Sequence, residues 1–184
     1  FDDNVAFYQA IGCEMLIIPI DERAWDPEAV HEVVKELNAM AKKLAPYGIA
    51  IGYHNHAQEF ADFQDATYWD FIAASTTDNV ILQLDVGWAN HAGKNPVEYV
   101  RRYHGRTLTT HYKIRTHEDA QNITPIIGQD GYDWGALLSA NMEFGGTRWV
   151  LVEQEEYPNG LTPLEAVAAS KKGLDSYLKK YRTH

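Results

Sequence analysis

The sequence has one cysteine, Cys13, so no disulfide can form within the chain. It has no run rich in lysine and arginine. Sixteen basic residues stand against 26 acidic ones, for a formal net charge of −10. A phosphate backbone is bound chiefly by clustered positive charge, so nucleic acid is a poor partner, and an anionic membrane surface is no better. No apolar stretch reaches the ~18 residues that span a bilayer. No glycine-rich phosphate loop follows an apolar run, which weakens a nucleotide-binding reading. There is no signal peptide, which points to the cytoplasm. The opening FDDNVAFYQAIG nevertheless reads as mid-helix and has no initiator Met. The expectation is that residues are missing upstream, and a lost leader stays open.

What is present suits one globular domain over residues 1–184, with 45% hydrophobic and 12% aromatic residues. Apolar runs of strand length alternate with helical patterns. MLIIPI (15–20) is followed by Asp26-Pro27, an N-cap with proline at the first helical position. Val30, Val33, Val34, Leu37, Met40, Ala41 and Leu44 then mark one buried helix face, which Gly48 ends. IAIGYH (49–54), VILQLDVGW (80–88), LTTHYKI (108–114) and RWVLVEQEEY (148–157) read as further strands, with a weaker one at TPIIG (124–128). Asp65, Asn95-Pro96 and Asp133 are helix starts, and Thr162-Pro163-Leu164-Glu165 is a capping box opening a helix with Leu164, Val167, Leu174, Tyr177 and Leu178 inward. Strands apolar on both faces, alternating with helices, predict a parallel α/β sheet, either open and doubly wound or part of a barrel.

Four of these strands carry an acid or imidazole near the C-terminal end, where parallel α/β folds place their ligands. They are Glu59 just beyond YHNH, Asp85, His111 and Glu153. A buried, unpaired carboxylate is costly. A shared divalent cation would offset that cost, and three carboxylates with one imidazole suit Mn²⁺ or Mg²⁺, with Co²⁺ or Zn²⁺ as alternatives. His54 and His56 are candidates to line the pocket. Trp88 reads either as a sugar-stacking wall or as a core or rim residue. Lys113 shares the face of His111, as a pocket lysine or a solvated one. Arg115 is placed to hold an anionic group, and Glu155 rivals Glu153 as a ligand.

YHNHAQEF, LDVGWANHAGKNPVEYVRRYHGR, THYK and VLVEQEE, in this order, resemble the sugar phosphate isomerase/epimerase family of xylose isomerase-like TIM barrels. The resemblance implies a (β/α)8 barrel. The strands here would be its third to eighth, the first two β/α units being absent and completed, if at all, by another chain or by a homo-oligomer. It implies one divalent metal held by Glu59, Asp85, His111 and Glu153, and a small carbohydrate substrate. The implied reaction is isomerisation or epimerisation by proton abstraction next to a metal-bound carbonyl, through an enediolate. Glu59 and Glu153 would be the acid/base pair, and Lys113, or His54 and His56, would steady the oxyanion. Alternatives are β-elimination on a 3-oxo-glycoside or inosose, and a non-catalytic carbohydrate-binding subunit. Where the family commonly has His-x-Lys-Asp, this sequence has Ile114 at the acidic position.

Overall fold

The structure, a computed structural model, describes residues 1–115 and 123–182. The chain forms two compact units, residues 1–83 and 84–184.

The first unit opens with helix α1 (Asp2–Ala10), strand β1 (Met15–Ile18) and helix α2 (Val30–Leu44). Asp26 Oδ1 accepts from the backbone N–H groups of Glu28 and Ala29 at 2.9 and 2.8 Å, so the aspartate starts the turn that leads into α2. The predicted stripe is buried at Val30, Val33, Val34, Leu37, Ala41 and Leu44, whereas Met40 at its margin is 37% exposed. Each large side chain fully buried there contributes about 1.5–3 kcal/mol relative to exposure. Gly48, in the left-handed region at φ +71°, turns the chain into β2 (Ala50–His54). β2 pairs parallel with β1, and its residues 52–54 pair parallel with residues 81–83 of β5 (Ile81–Asp85).

Between β2 and β5 lie a two-residue hairpin, β3 (Asp62–Phe63) with β4 (Ala66–Thr67), and helix α3 (Tyr68–Ser75). Asp65 sits in the hairpin turn and is not the helix cap. Thr67 takes that place, its hydroxyl accepting from Asp70 N at 3.1 Å, because the hairpin shifts the first free N–H groups two residues on.

In the second unit the last two residues of β5 pair parallel with β6 (Thr109–Tyr112), which pairs parallel with β7 (Trp149–Val152). Its helices are α4 (Val86–His91), α5 (Pro96–Arg102), α6 (Trp134–Ala140) and α7 (Pro163–Arg182). Asn95 and Asp133 cap α5 and α6 as predicted, and the Thr162/Glu165 box opens α7. Leu164 is not inward; it is 78% exposed. A residue at the second helical position has no preceding turn to pack beneath.

β5 is shorter than the apolar run implied, because Asp85 turns the chain directly into α4. TPIIG is not a strand. Pro125 has no N–H to give a ladder, Gly128 is at φ +87°, and the buried Ile126 and Ile127 pack instead in a turn whose Ile127 N–H donates to the Ser170 hydroxyl. Among the described residues, no helix is long and apolar enough to cross a membrane.

Helix α7 meets this turn at Gly173, where a β-carbon would lie 1.8 Å from the Ile127 carbonyl oxygen. Glycine-to-alanine inside a helix ordinarily stabilises by about 1 kcal/mol. Here Gly173→Ala is expected to destabilise by about 1–3 kcal/mol or more, read as a lower thermal midpoint. A midpoint unchanged or raised would show that α7 does not close against this turn.

Candidate functional site

The second unit gathers its polar residues at the C-terminal ends of β5, β6 and β7. Asp85, fully buried, ends β5 and caps α4, with Oδ1 accepting from Trp88 N at 2.8 Å. In register beside it on β6 stands His111. Its Nδ1 lies 2.7 Å from Glu153 Oε2 and 3.9 Å from Asp85 Oδ2. An ionised carboxylate only accepts, so in the neutral ring Nδ1 carries the proton and Nε2 keeps its lone pair.

Lys113 is almost completely buried. Its ammonium is 2.9 Å from Glu155 Oε2, 3.3 Å from Glu153 Oε1 and 3.7 Å from Asp85 Oδ2. The solvated alternative for this lysine is therefore excluded. Arg115 Nη1 reaches the same Glu155 oxygen at 3.3 Å. Both cations lie over the Trp88 ring, the guanidinium carbon 4.5 Å and the ammonium 5.1 Å from its centroid. Gly87 permits this packing. A β-carbon there would come within 2.9 Å of the Lys113 carbonyl oxygen and 3.0 Å of its Cγ.

Between the two acids, Gln154 makes a different set of bonds. Its Nε2 donates to the carbonyls of Pro125 and Glu156 at 2.6 and 2.5 Å, and its Oε1 accepts from the Ser170 hydroxyl at 2.6 Å. The segment bearing Glu153 and Glu155 is thereby tied to the turn after Pro125 and to α7.

In the first unit, Glu59 stands on a short 3₁₀ turn (Gln58–Phe60) rather than on the strand, and is fully buried. Its oxygens accept from the Tyr53 hydroxyl and from His56 N, both at 2.8 Å. His54 ends β2 with Nδ1 3.0 Å from Gln83 Oε1. The His56 ring meets it edge-on, with centroids 5.1 Å apart. Sequence reasoning missed three of these partners. Gln83 could have been found, being two residues before Asp85 and so on the same face of β5. For the Tyr53 and Gln154 roles no sequence signal exists.

The acids are held in unequal states. Burial pushes Asp85 up to about 7, outweighing the Lys113 charge and the Trp88 N–H. The His111 hydrogen bond, aided by the Lys113 charge, holds Glu153 down to about 2. Burial also raises Glu59, against the bonds from Tyr53 and His56 that favour its charge. Asp85 and His111 offer an oxygen and a ring nitrogen that suit a hard or borderline divalent ion. The Asp85 oxygen not used by the cap faces His111 and Lys113 beyond hydrogen-bond length.

The xylose isomerase-like TIM barrel family matches residues 1–181, and the chain belongs to it. It is similar to the rhizopine catabolism protein MocC of Rhizobium meliloti, with 23% identity over 71% of this chain and 44% of that protein. It is also similar to an inosose dehydratase of Clostridium botulinum, with 24% identity over 70% of this chain and 48% of that one. Among solved structures, a sugar phosphate isomerase/epimerase of Parabacteroides distasonis superposes with a TM-score of 0.74 at 24% identity, covering 96% of this chain and 63% of the other. The chain thus spans about half the length of these two curated relatives. The family expected from the ordered motifs is the one found. Within it, this chain shows the parallel β/α pattern; the expected numbering of its strands as third to eighth stays an expectation.

Asp85 titrates above its unfolded value near 3.9. The folded protein therefore keeps a proton that the unfolded chain has released, and Asp85 weakens the fold as pH rises from about 4 through 7. Glu153 acts oppositely, its contribution being present above about pH 4 and lost as pH falls towards 2. Asparagine caps helices as well as aspartate does. In chelator, Asp85→Asn should therefore gain thermal midpoint over the parent by a margin that widens between pH 4 and 8. A margin independent of pH would mean that Asp85 does not titrate in this window.

Proposed function

We propose that the protein is a divalent-metal-dependent enzyme that isomerises or epimerises a small sugar by moving a proton on the carbon beside a carbonyl. The observation that carries this reading is the buried Asp85 carboxylate beside His111 and Glu153, at strand C-termini of a chain in the xylose isomerase-like family. In this reading Asp85, His111 and Glu153 hold the ion, with Glu59 as the fourth ligand on the strength of the family resemblance. Mn²⁺ or Mg²⁺ suits the set best. When bound, the ion would polarise the sugar carbonyl and acidify the neighbouring C–H.

The residues divide the remaining work. Glu59, raised by burial, is the better proton carrier near neutral pH, since a catalytic group works best with a pKa close to the operating pH. Glu153 becomes an effective base once its bonds to His111 and Lys113 loosen, because those bonds are what hold it acidic. Together they deliver and remove a proton as the acid/base pair of an enediolate reaction. The Lys113 ammonium steadies the developing oxyanion. His54 and His56 orient sugar hydroxyls. Trp88 walls the pocket while carrying Arg115, which is placed to meet an anionic group on the substrate.

A second reading is elimination of water or of a leaving group from a 3-oxo sugar or inosose, which starts with the same proton removal. Similarity to a protein named inosose dehydratase favours it. Products formed from a 3-oxo-glycoside and from a free ketose distinguish the two.

The test combines metal analysis with proton exchange. The purified protein is expected to carry about one divalent ion per chain, which Asp85→Asn loses. Solvent deuterium should enter a ketose beside its carbonyl, and Glu59→Gln and Glu153→Gln should each slow this by roughly 100-fold or more. A folded protein with no affinity for Mn²⁺, Mg²⁺, Co²⁺ or Zn²⁺ would overturn the proposal.

A further inference from the structure

The Lys113 ammonium occupies the same electrostatic position that a bound cation would use. It lies within 3.7 Å of carboxylate oxygens from Asp85, Glu153 and Glu155, and its side chain is only 2% exposed. Water screens little of its charge. The stem has little freedom, since Gly87 packs against its Cγ and carbonyl. Without a cation, three carboxylates this close would repel one another and splay or take up protons. Lys113 removes that problem, with Arg115 sharing Glu155 and His111 hydrogen-bonding Glu153.

We infer that Lys113 is a built-in competitor of the metal ion. It keeps the ligand set assembled when the ion is away, and must yield Asp85 and Glu153 when the ion arrives. This rests on the metal-site reading above. Its geometry supplies the place to which the lysine withdraws. The shortest of its three contacts, 2.9 Å, goes to Glu155, whose side chain is 40% exposed and stands outside the proposed ligand set. Glu155 is therefore the acceptor that holds the ammonium when its other two partners turn to the ion. Two like-charged cations sharing one carboxylate group oppose each other, so Lys113 lowers affinity for the ion while preserving the shape of the site. The effect suits an ion that exchanges.

The arrangement predicts opposite effects from two substitutions. Lys113→Met, which keeps the apolar stem, removes the competitor and should tighten Mn²⁺ binding by about tenfold or more. Glu155→Gln removes the withdrawal site, leaves the ammonium to Asp85 and Glu153, and should weaken Mn²⁺ binding by a comparable factor. The measurement is titration of chelator-stripped protein with Mn²⁺ alone, by calorimetry and by electron paramagnetic resonance of the free ion. Circular dichroism confirms the fold of each variant. A merely structural lysine predicts weaker binding in both variants, and that outcome would overturn the inference, as would unchanged affinity in both. If Lys113→Met does not fold, the half-exposed Glu155 position decides alone, and unchanged or tighter binding in Glu155→Gln is then the overturning result. Failure of the parent protein to bind Mn²⁺ at all would instead sink the metal-site reading, and this inference with it.

Discussion

One carboxylate, that of Asp85, is committed to the backbone and to the site at once. Its Oδ1 closes the first turn of α4 by accepting from Trp88 N, while Oδ2 faces His111 and Lys113. A side chain that caps a helix cannot move without unravelling that helix's first turn, so the position of the buried charge is fixed by the fold. The neighbours adapt to it. Gly87 lets the Lys113 backbone come close, Lys113 lays its ammonium among the acids, and Trp88 gives two cations a face to rest on. The surrounding charge offsets only part of the cost of burying Asp85, and burial remains the larger effect.

That constraint also explains why two carboxylates that share His111 and Lys113 as neighbours behave so differently. Asp85 is enclosed, and desolvation dominates it. Glu153 is half-exposed, receives the His111 hydrogen bond, and stays ionised. Environments that push neighbouring acids apart are the usual preparation for acid and base roles within one site.

The elements that could be read from sequence are those fixed by local chemistry. Asn95, Asp133 and the Thr162/Glu165 box each satisfy helix N–H groups within three residues, so no distant contact is needed to find them. The apolar strands β2, β5 and β6 were legible for a similar reason, since they are buried along nearly their whole length. By contrast, β7 reads as apolar yet leaves Trp149 and Leu151 exposed. Misreadings arose where a distant partner decides. Asp65 gave way to Thr67 because a hairpin intervenes, and TPIIG packs beneath α7 as a turn. The four strand-end residues that raised the idea of a shared site were visible by position, yet the burial of Lys113 was not. A lysine two residues beyond a strand histidine looks the same in sequence whether it meets water or three carboxylates. Glu59 is buried on a turn held by Tyr53, a pairing that only the fold reveals.

The bonds of Gln154 link places far apart in the sequence. Its carboxamide joins the turn after Pro125 and the α7 residue Ser170 to the short stretch bearing Glu153 and Glu155. The acids can therefore be re-aimed by changes at positions that carry no acid themselves. Natural drift or laboratory selection acting on that turn and helix has a route to alter the geometry of these acids while every charged group keeps its identity.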